Sequence, residues 1–536
     1  MNAELRRTLT AAGAFLALAL VLTWPLCTAP ASFIPGGART DAPNAVWSLW
    51  LVHDALSRGV FPLQTNLLDF PDGGRLVVAD PLNALLGYPL VALFGPVAAY
   101  SLLVIGHLWA AGLFAWRLGR ELGGSGWVAG VGYMSAPLLL SHVQNGSSEA
   151  VAAGWLPLAA WLLIRAIERG GAGRVLLAAL GLFFAALGGS WYGGVGVFVF
   201  ASMILVWGWP GLPRLILTRR LLPAMVLGAL LAAPVAVAIK SVAVAEDGLV
   251  DIKNPEDLSR IRRTIGAADP RVWLAPLDFR SPDFLHLEGN PSDRVHTAYL
   301  GFVLLALALW PGNRIRGRAA WWWGIAASLV LAMGPVLVIN GFPFALGGRA
   351  IPLPYAALEG LPGFSSLSLL YRLAALGVLG VAVLADRGKP AFALLVLAEV
   401  YLLSPARHLP ELTPIPELPA ALVLATEPEG AVVNVPVVPG RNFLYEQVLH
   451  HKPVTGSLNT SVNRSGLQVL AAARKMRSGE LTLSGFVAVA QGLGVRYVVQ
   501  HKNVMAPEAF LSAILAITRN FEPIAQDDKI AVYRLW

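Results

Sequence analysis

The sequence predicts a polytopic α-helical membrane protein of about eleven spanning helices followed by a small C-terminal α/β domain. Three observations carry that expectation. Of 536 residues, 56% are hydrophobic and 13% charged, and the mean hydropathy is +0.63. A soluble domain carries about 25% charged residues, so a chain this long has too little charge to cover a water-facing surface. Apolar runs of about 20 residues, the length that crosses a bilayer, recur between residues 9 and 404. Past residue 405 the texture changes: Pro405, Pro410, Pro414, Pro416 and Pro419 form a linker-like stretch whose prolines cannot sit inside helices.

The first apolar run, 9–27, comes after Arg6 and Arg7. It is longer than the roughly 7–15 residues of a signal-peptide core and is taken as a retained span. The others are expected at 96–117, 126–141, 149–168, 174–189, 191–208, 221–241, 297–311, 320–339, 370–385 and 390–404. The loop 28–95 holds Asp41 and an aromatic stretch, 43–58. There Trp47, Trp50 and Leu51 can share an apolar face on the membrane surface while Asn44, Asp54 and Arg58 face water. After the linker, Ala431–Val435, Val495–Val499 and Ile530–Arg534 read as strands, with helix-like runs near 465–478 and 507–517. The expected division is a membrane domain 1–405, a linker 406–420 and an α/β domain 421–536.

Arginines alternate with the loops. Arg6 and Arg7, Arg117 and Arg120, Arg165 with Arg169 and Arg174, Arg214 with Arg219 and Arg220, Arg314 with Arg316 and Arg318, and Arg387 with Lys389 all fall on one side. The positive-inside rule makes that side cytoplasmic. The expectation is an inner-membrane protein with a cytoplasmic N-terminus and a C-terminal domain on the outer, periplasmic face. The net charge of +8 then belongs to short cytoplasmic loops. A nucleic-acid partner would need a basic patch on a soluble module, and none is present. The single cysteine, Cys27, excludes an intramolecular disulfide and any Cys-based zinc or redox motif.

Asp41 is the residue that most suggests chemistry. A carboxylate between a spanning helix and a surface helix, near other acids, is placed to become a usable base. Asp54 and Asp80 are secondary candidates; Asp69 and Asp72 are weaker, the latter opening an Asp-Gly-Gly turn.

Several segments in order carry a family resemblance: Thr40-Asp41-Ala42-Pro43; Phe70-Pro71-Asp72-Gly73-Gly74; Pro81-Leu82-Asn83-Ala84; Ser141-His142-Val143-Gln144-Asn145 leading to Gly154-Trp155-Leu156-Pro157-Leu158; Ser190-Trp191-Tyr192; Tyr299-Leu300-Gly301; and Ile351-Pro352-Leu353-Pro354-Tyr355 through Leu361-Pro362-Gly363-Phe364 to Tyr371-Arg372. Over most of residues 1–405 the chain resembles the GT-C glycosyltransferases, multi-spanning enzymes that use polyprenyl-phosphate-linked sugars. The resemblance implies an inverting sugar transfer to a glycan, lipid or protein acceptor on the outer face, with Asp41 at the place of the family acid. Where many members carry paired acids, this chain has one Asp flanked by Thr40 and Ala42. A hard divalent cation (Mg or Mn) prefers several oxygen ligands, so a lone general base is the simpler reading and the metal stays open.

The implied leaving group is a lipid phosphate, which arginine suits by bidentate contact. Arg372 is the first choice, then Arg349, then Arg263 beside Arg262; the alternative for each is snorkelling to headgroups. His142, Gln144, Asn145 and Glu149 crowd a short outer turn and are candidates for substrate contact. Trp191 and Tyr192 are candidates to stack on a sugar, or interface anchors. Two rival classes remain: a transporter or flippase, which needs ionisable residues within its spans, and a non-catalytic envelope scaffold.

Overall fold

The computed structural model describes residues 3–35, 40–78, 80–188, 192–243, 245–249, 255–278, 295–312, 315–361, 364–406, 412–415, 417–436, 442–458 and 462–536. The chain forms two compact units. The first comprises 1–40, 97–236 and 253–413; the second comprises 41–96, 237–252 and 414–536.

One boundary lies within the longest helix, Pro81–Glu121. Asp80 starts it, accepting hydrogen bonds from the Asn83 backbone N–H at 3.2 Å and side-chain amide at 2.6 Å. Pro81 fills the first position, where no N–H is needed. The helix breaks at Gly95, whose φ of 79° is left-handed, because Pro96 lacks a donor and crowds the preceding turn.

Among the described residues, four helices are long and apolar enough to cross a bilayer: Ala3–Leu22, Pro81–Glu121, Glu149–Arg169 and Arg214–Val242. Shorter apolar helices occur at Ala172–Leu187, Tyr192–Trp207, Leu370–Ala385 and Phe392–Leu403. Several expected spans differ from the single helices read from sequence; 320–339, for example, is helical only to Ala332 and ends in a strand at Val338–Ile339. The run 126–141 is two helices, Trp127–Met134 and Pro137–Gln144, parted at Pro137 for the reason that applies at Pro96. Within 297–311 only Phe302–Leu309 is helical; eight residues rise about 12 Å, short of a bilayer core.

Two buried acids in this unit serve as helix caps. Glu399, in the helix Phe392–Leu403, accepts the Tyr299 hydroxyl and the backbone N–H groups of Phe302 and Val303, the latter at 2.8 Å. It thereby satisfies the open N-terminus of Phe302–Leu309. Asp386 does the same for Trp127–Met134, accepting the Ser125 hydroxyl at 2.7 Å and the Gly126 N–H.

The second unit contains a four-stranded sheet in the order 523–526, 530–534, 495–501, 431–435. Strand 495–501 runs parallel to 431–435 and antiparallel to 530–534. A parallel pair needs a long crossover, and the segment between these strands supplies three helices, Asn442–His450, Arg464–Ser478 and Leu483–Gly492. Val433, Val469, Phe486, Val498 and Ile517 are among its buried core residues.

The first loop is part of this same unit. The helix Ala42–Ser57 buries Trp47, Leu49, Trp50 and Leu51, and also Asn44, which the sequence had facing water. The reason is tertiary: the helix packs on Asn442–His450. Gln447, fully buried, accepts the Trp47 indole N–H at 2.7 Å and donates to the carbonyls of Leu67 at 2.6 Å and Lys452 at 3.0 Å. Asp69 and Phe70 donate their backbone N–H groups to Gly456 and Val454, Asn463 donates to the Asp69 carboxylate at 2.8 Å, and Trp50 stacks on His451 with ring centres 5.3 Å apart.

Behind Gln447 lies a buried polar line. Glu446 Oε1 is 3.5 Å from His501 Nδ1, and His501 Nε2 is 3.1 Å from Asn434 Oδ1. Burial, with the charge of Asp527 second, pushes Glu446 up to about 8; burial pushes His501 down to about 4. At neutral pH both are uncharged. A protonated Glu446 then faces Nδ1 while Nε2–H donates to Asn434 Oδ1; the Asn434 amide nitrogen stays buried without a hydrogen-bond partner.

Two outcomes are expected. Gln447→Leu strands the Trp47 indole N–H and two carbonyls, at a cost of about 1–3 kcal/mol for each buried group left unsatisfied. Hydrogen exchange should rise over 41–58 and 64–76 and stay low in the strands 431–435 and 495–501. Unchanged protection of 41–58 would refute the clamp. For Glu446, a carboxyl whose pKa is higher folded than unfolded retains a proton on folding. Its stabilising contribution is full below its ordinary 4.5 and lost as pH rises through about 8. Glu446→Gln should therefore flatten the fall in unfolding midpoint between about pH 4.5 and 8, measured by denaturation of wild type and variant.

Candidate functional site

The site in the first unit centres on Arg372. It sits in a single 3-10 turn, Leu370–Leu373, directly ahead of the apolar helix Ala374–Ala385. The turn is held from outside itself. The Tyr192 hydroxyl accepts the backbone N–H groups of Ser368 at 3.1 Å and Leu369 at 2.8 Å. The Tyr371 N–H donates to the Gly266 carbonyl at 2.9 Å. Position 266 must be glycine, because a Cβ there would run into the Ser368 carbonyl.

Arg372 is 9% exposed. Its Nη1 donates to Glu149 Oε1 at 3.0 Å, and its guanidinium lies 5.9 Å from the Tyr192 ring centre. Its Nε is buried with no hydrogen-bond partner, as is Nδ1 of His142. Both side chains line one cavity with Tyr192, whose other walls include Leu138, Leu139, Leu156 and Ala185. The cavity measures about 20 Å³, room for a single water. Burial, and then the Arg372 charge, hold His142 well below its usual range, so it is a neutral imidazole. Beside it Tyr371 packs between two imidazoles, 5.9 Å from His142 and 4.9 Å from His296. The cavity thus sets a buried cation with an unspent N–H beside an imidazole and apolar walls.

The remaining candidates fall elsewhere in the packing. Asn145 clamps a backbone, donating to the Val295 carbonyl at 2.8 Å and accepting its N–H at 2.7 Å; this fixes the segment that carries His296. Gln144 is buried at the end of the helix Pro137–Gln144. Arg263 is committed to Glu359 through two bonds of 2.7 and 2.6 Å. Arg262 shares that carboxylate at 2.9 Å and also donates to the Ser365 and Leu367 carbonyls. Arg349 is exposed on a hairpin strand. Trp191 lies outside the described residues.

Asp41 belongs to the second unit. It heads the helix Ala42–Ser57, and its carbonyl accepts the N–H groups of Asn44 at 3.1 Å and Ala45 at 3.2 Å. Its carboxylate makes no cap hydrogen bond to the helix. One helical face carries Asp41, Asn44 and Ser48, spaced i, i+3, i+7. Asn44 Oδ1 and Ser48 Oγ are buried without hydrogen-bond partners. Sequence reasoning passed over both, although that spacing was the available signal. Asp54 pairs with Arg58 on the same helix, and Asp80 caps the helix Pro81–Glu121. Among the described residues no group of three or more His, Cys, Asp or Glu is placed to hold a metal ion.

No protein-family model matches the chain, and no curated protein matches it either. Solved structures do. The arabinofuranosyltransferase AftD from Mycobacteria superposes with a TM-score of 0.56 at 16% identity, over 99% of this chain and 40% of AftD. The chain thus spans well under half of that protein. The oligosaccharyltransferase from Archaeoglobus fulgidus gives 0.47 at 12% identity, over 92% and 69% of the two chains. ArnT from Cupriavidus metallidurans, bound to undecaprenyl phosphate, gives 0.42 at 12%, over 98% and 97%. At the level of fold, this chain is similar to a GT-C membrane glycosyltransferase, the family that its ordered loop segments resemble.

Proposed function

We propose that the protein is an inverting membrane glycosyltransferase that takes a sugar from a polyprenyl-phosphate donor and passes it to an envelope acceptor on the outer face. The observation that carries this is the buried Arg372, with its open Nε beside a neutral His142 in an apolar-walled cavity. Its chemistry suits a phosphate at the head of a lipid chain, and the fold likeness to AftD supports the same class.

In the proposed step Asp41 accepts the proton of an acceptor hydroxyl as that oxygen attacks the anomeric carbon. The bond from that carbon to the lipid-phosphate oxygen breaks, and its electron pair stays on the phosphate. One displacement inverts the anomeric centre. Within the first unit, Arg372 is the group assigned to the donor's phosphate, where a preorganised guanidinium counts most. At about 20 Å³ the cavity is too small for a phosphate, so in this reading entry requires Glu149 to share or yield the guanidinium. A transporter would use ionisable residues within its spans; two buried acids in or beside the apolar helices, Glu399 and Asp386, are occupied as caps.

Two experiments test the reading. Asp41→Asn should lower sugar transfer from lipid-linked donors in isolated membranes by about 100- to 10,000-fold and leave binding of undecaprenyl phosphate intact; full transfer by this variant would end the assignment. Undecaprenyl phosphate should raise the melting temperature of the wild type. Arg372→Ala should lose that rise and Arg372→Lys keep part of it, since an ammonium supplies charge without the guanidinium fork. Each variant is compared with its own ligand-free melt. Equal stabilisation of all three proteins would remove Arg372 from the phosphate site.

A further inference from the structure

Between Arg318 and Glu359 the chain carries one charged side chain, Arg349. The first part of this stretch is the helix Arg318–Ala332, 15 residues long. It rises about 22 Å, less than the roughly 30 Å of a hydrocarbon core. Beyond its end the chain does not become a polar loop. It forms two consecutive tight hairpins, Val338–Ile339 paired with Phe342–Pro343 and Ala345–Leu346 paired with Arg349–Ala350. Their two-residue turns are Asn340-Gly341 and Gly347-Gly348, all four residues at positive φ, the geometry that two-residue hairpins favour.

Three features set these hairpins apart from an ordinary surface loop. Their large apolar side chains point outward: Leu346 is 71% exposed, Phe342 48% and Phe344 42%. Their backbone is tied internally. The Leu337 N–H donates to the Ile351 carbonyl at 3.0 Å, Phe344 to Leu337 at 2.8 Å, and Leu353 to Pro335 at 2.9 Å. The first turn is also anchored: Asp269 accepts the Asn340 N–H at 2.9 Å, and Arg271 donates to the Asn340 side chain. Residues 345–350, the second hairpin, are all exposed.

We propose that this double hairpin is a lipid-docking element, seated in the headgroup–acyl boundary of the leaflet at which the helix Arg318–Ala332 ends. Continuity identifies the occupant. The hairpins extend the apolar surface of a helix that is itself too short for the bilayer, so the medium that surrounds the helix also meets the hairpins. Exposed clusters of this size are rare against water. Internal pairing of the backbone is what a segment near hydrocarbon needs. Arg349, next to the second turn, supplies the cation that a phosphate headgroup attracts, which assigns it to bulk lipid and not to the sugar donor. The element stands independently of the proposed reaction.

Cys27 is the single cysteine, so a Cys27→Ser background accepts one label at a time. Leu346→Cys carries a nitroxide, with Phe344→Cys as a second position in case the first is poorly tolerated. The protein is reconstituted in phosphatidylethanolamine–phosphatidylglycerol vesicles. Power saturation then compares collision with oxygen, which concentrates in lipid, and with a water-soluble nickel chelate. The expected result is several-fold greater accessibility to oxygen at both positions, and the reverse at a label on exposed Lys475. Nickel accessibility equal to that of the Lys475 label would overturn the proposal. So would low accessibility to both reagents, which would mean that protein covers the hairpins.

Discussion

A buried guanidinium is the constraint on which the candidate site of the larger unit depends. Removing a charge from water costs several kcal/mol even after relaxation, so Arg372 requires compensation from whatever surrounds it. Glu149 supplies the countercharge across 223 positions of sequence, and the Tyr192 ring supplies a weaker attraction. The turn that presents the guanidinium is then fixed by groups that act on its backbone: the Tyr192 hydroxyl on the Ser368 and Leu369 amides, and the Gly266 carbonyl on Tyr371. Glu359, gripping Arg262 and Arg263, locks the stretch of chain that brings Gly266 into place. The compensation is incomplete at Nε, and that incompleteness gives the cavity its chemical character.

The acids elsewhere in the apolar helices obey the opposite logic. Glu399 and Asp386 are buried, but each is saturated by the open end of a neighbouring helix. A short helix ending in an apolar environment has no water to satisfy its first N–H groups; a carboxylate from an adjacent helix replaces that water and complements the positive end of the helix dipole. This accounts for acids in segments that otherwise read as lipid-facing, without a transport pathway. In the second unit the same need for complete pairing takes a neutral form. The Gln447 amide bridges a helix and two carbonyls with no charge to desolvate, and so joins the first loop to a helix 400 positions away.

Much of the architecture was legible in the amino-acid sequence. Apolar runs located the long helices, since hydrophobicity summed over 20 residues is a local property. Short outer turns and loop segments supplied His142, Glu149, Tyr192 and Arg372 as separate candidates, and the first unit brings these four together. The spacing of Asp41, Asn44 and Ser48 also lay in the sequence, but an amphipathic reading of 43–58 turned Asn44 toward water because it had no partner helix to consider.

The chain alone therefore determined where apolar segments lie, where proline and glycine interrupt them, and which side chains carry chemistry. Tertiary structure decided which of those side chains are already occupied. Arg263 and Arg372 look alike in sequence; one is spent on Glu359 in a two-pronged pair, and the other keeps a buried N–H unsatisfied. Asp80 and Asp41 both stand at the head of a helix, and the structure makes a side-chain cap of Asp80 alone of the two. The reason is that hydrophobicity belongs to a residue and its near neighbours, whereas satisfaction of a charge or a hydrogen bond belongs to a pair, and for these arginines the second member lies about a hundred or more positions away.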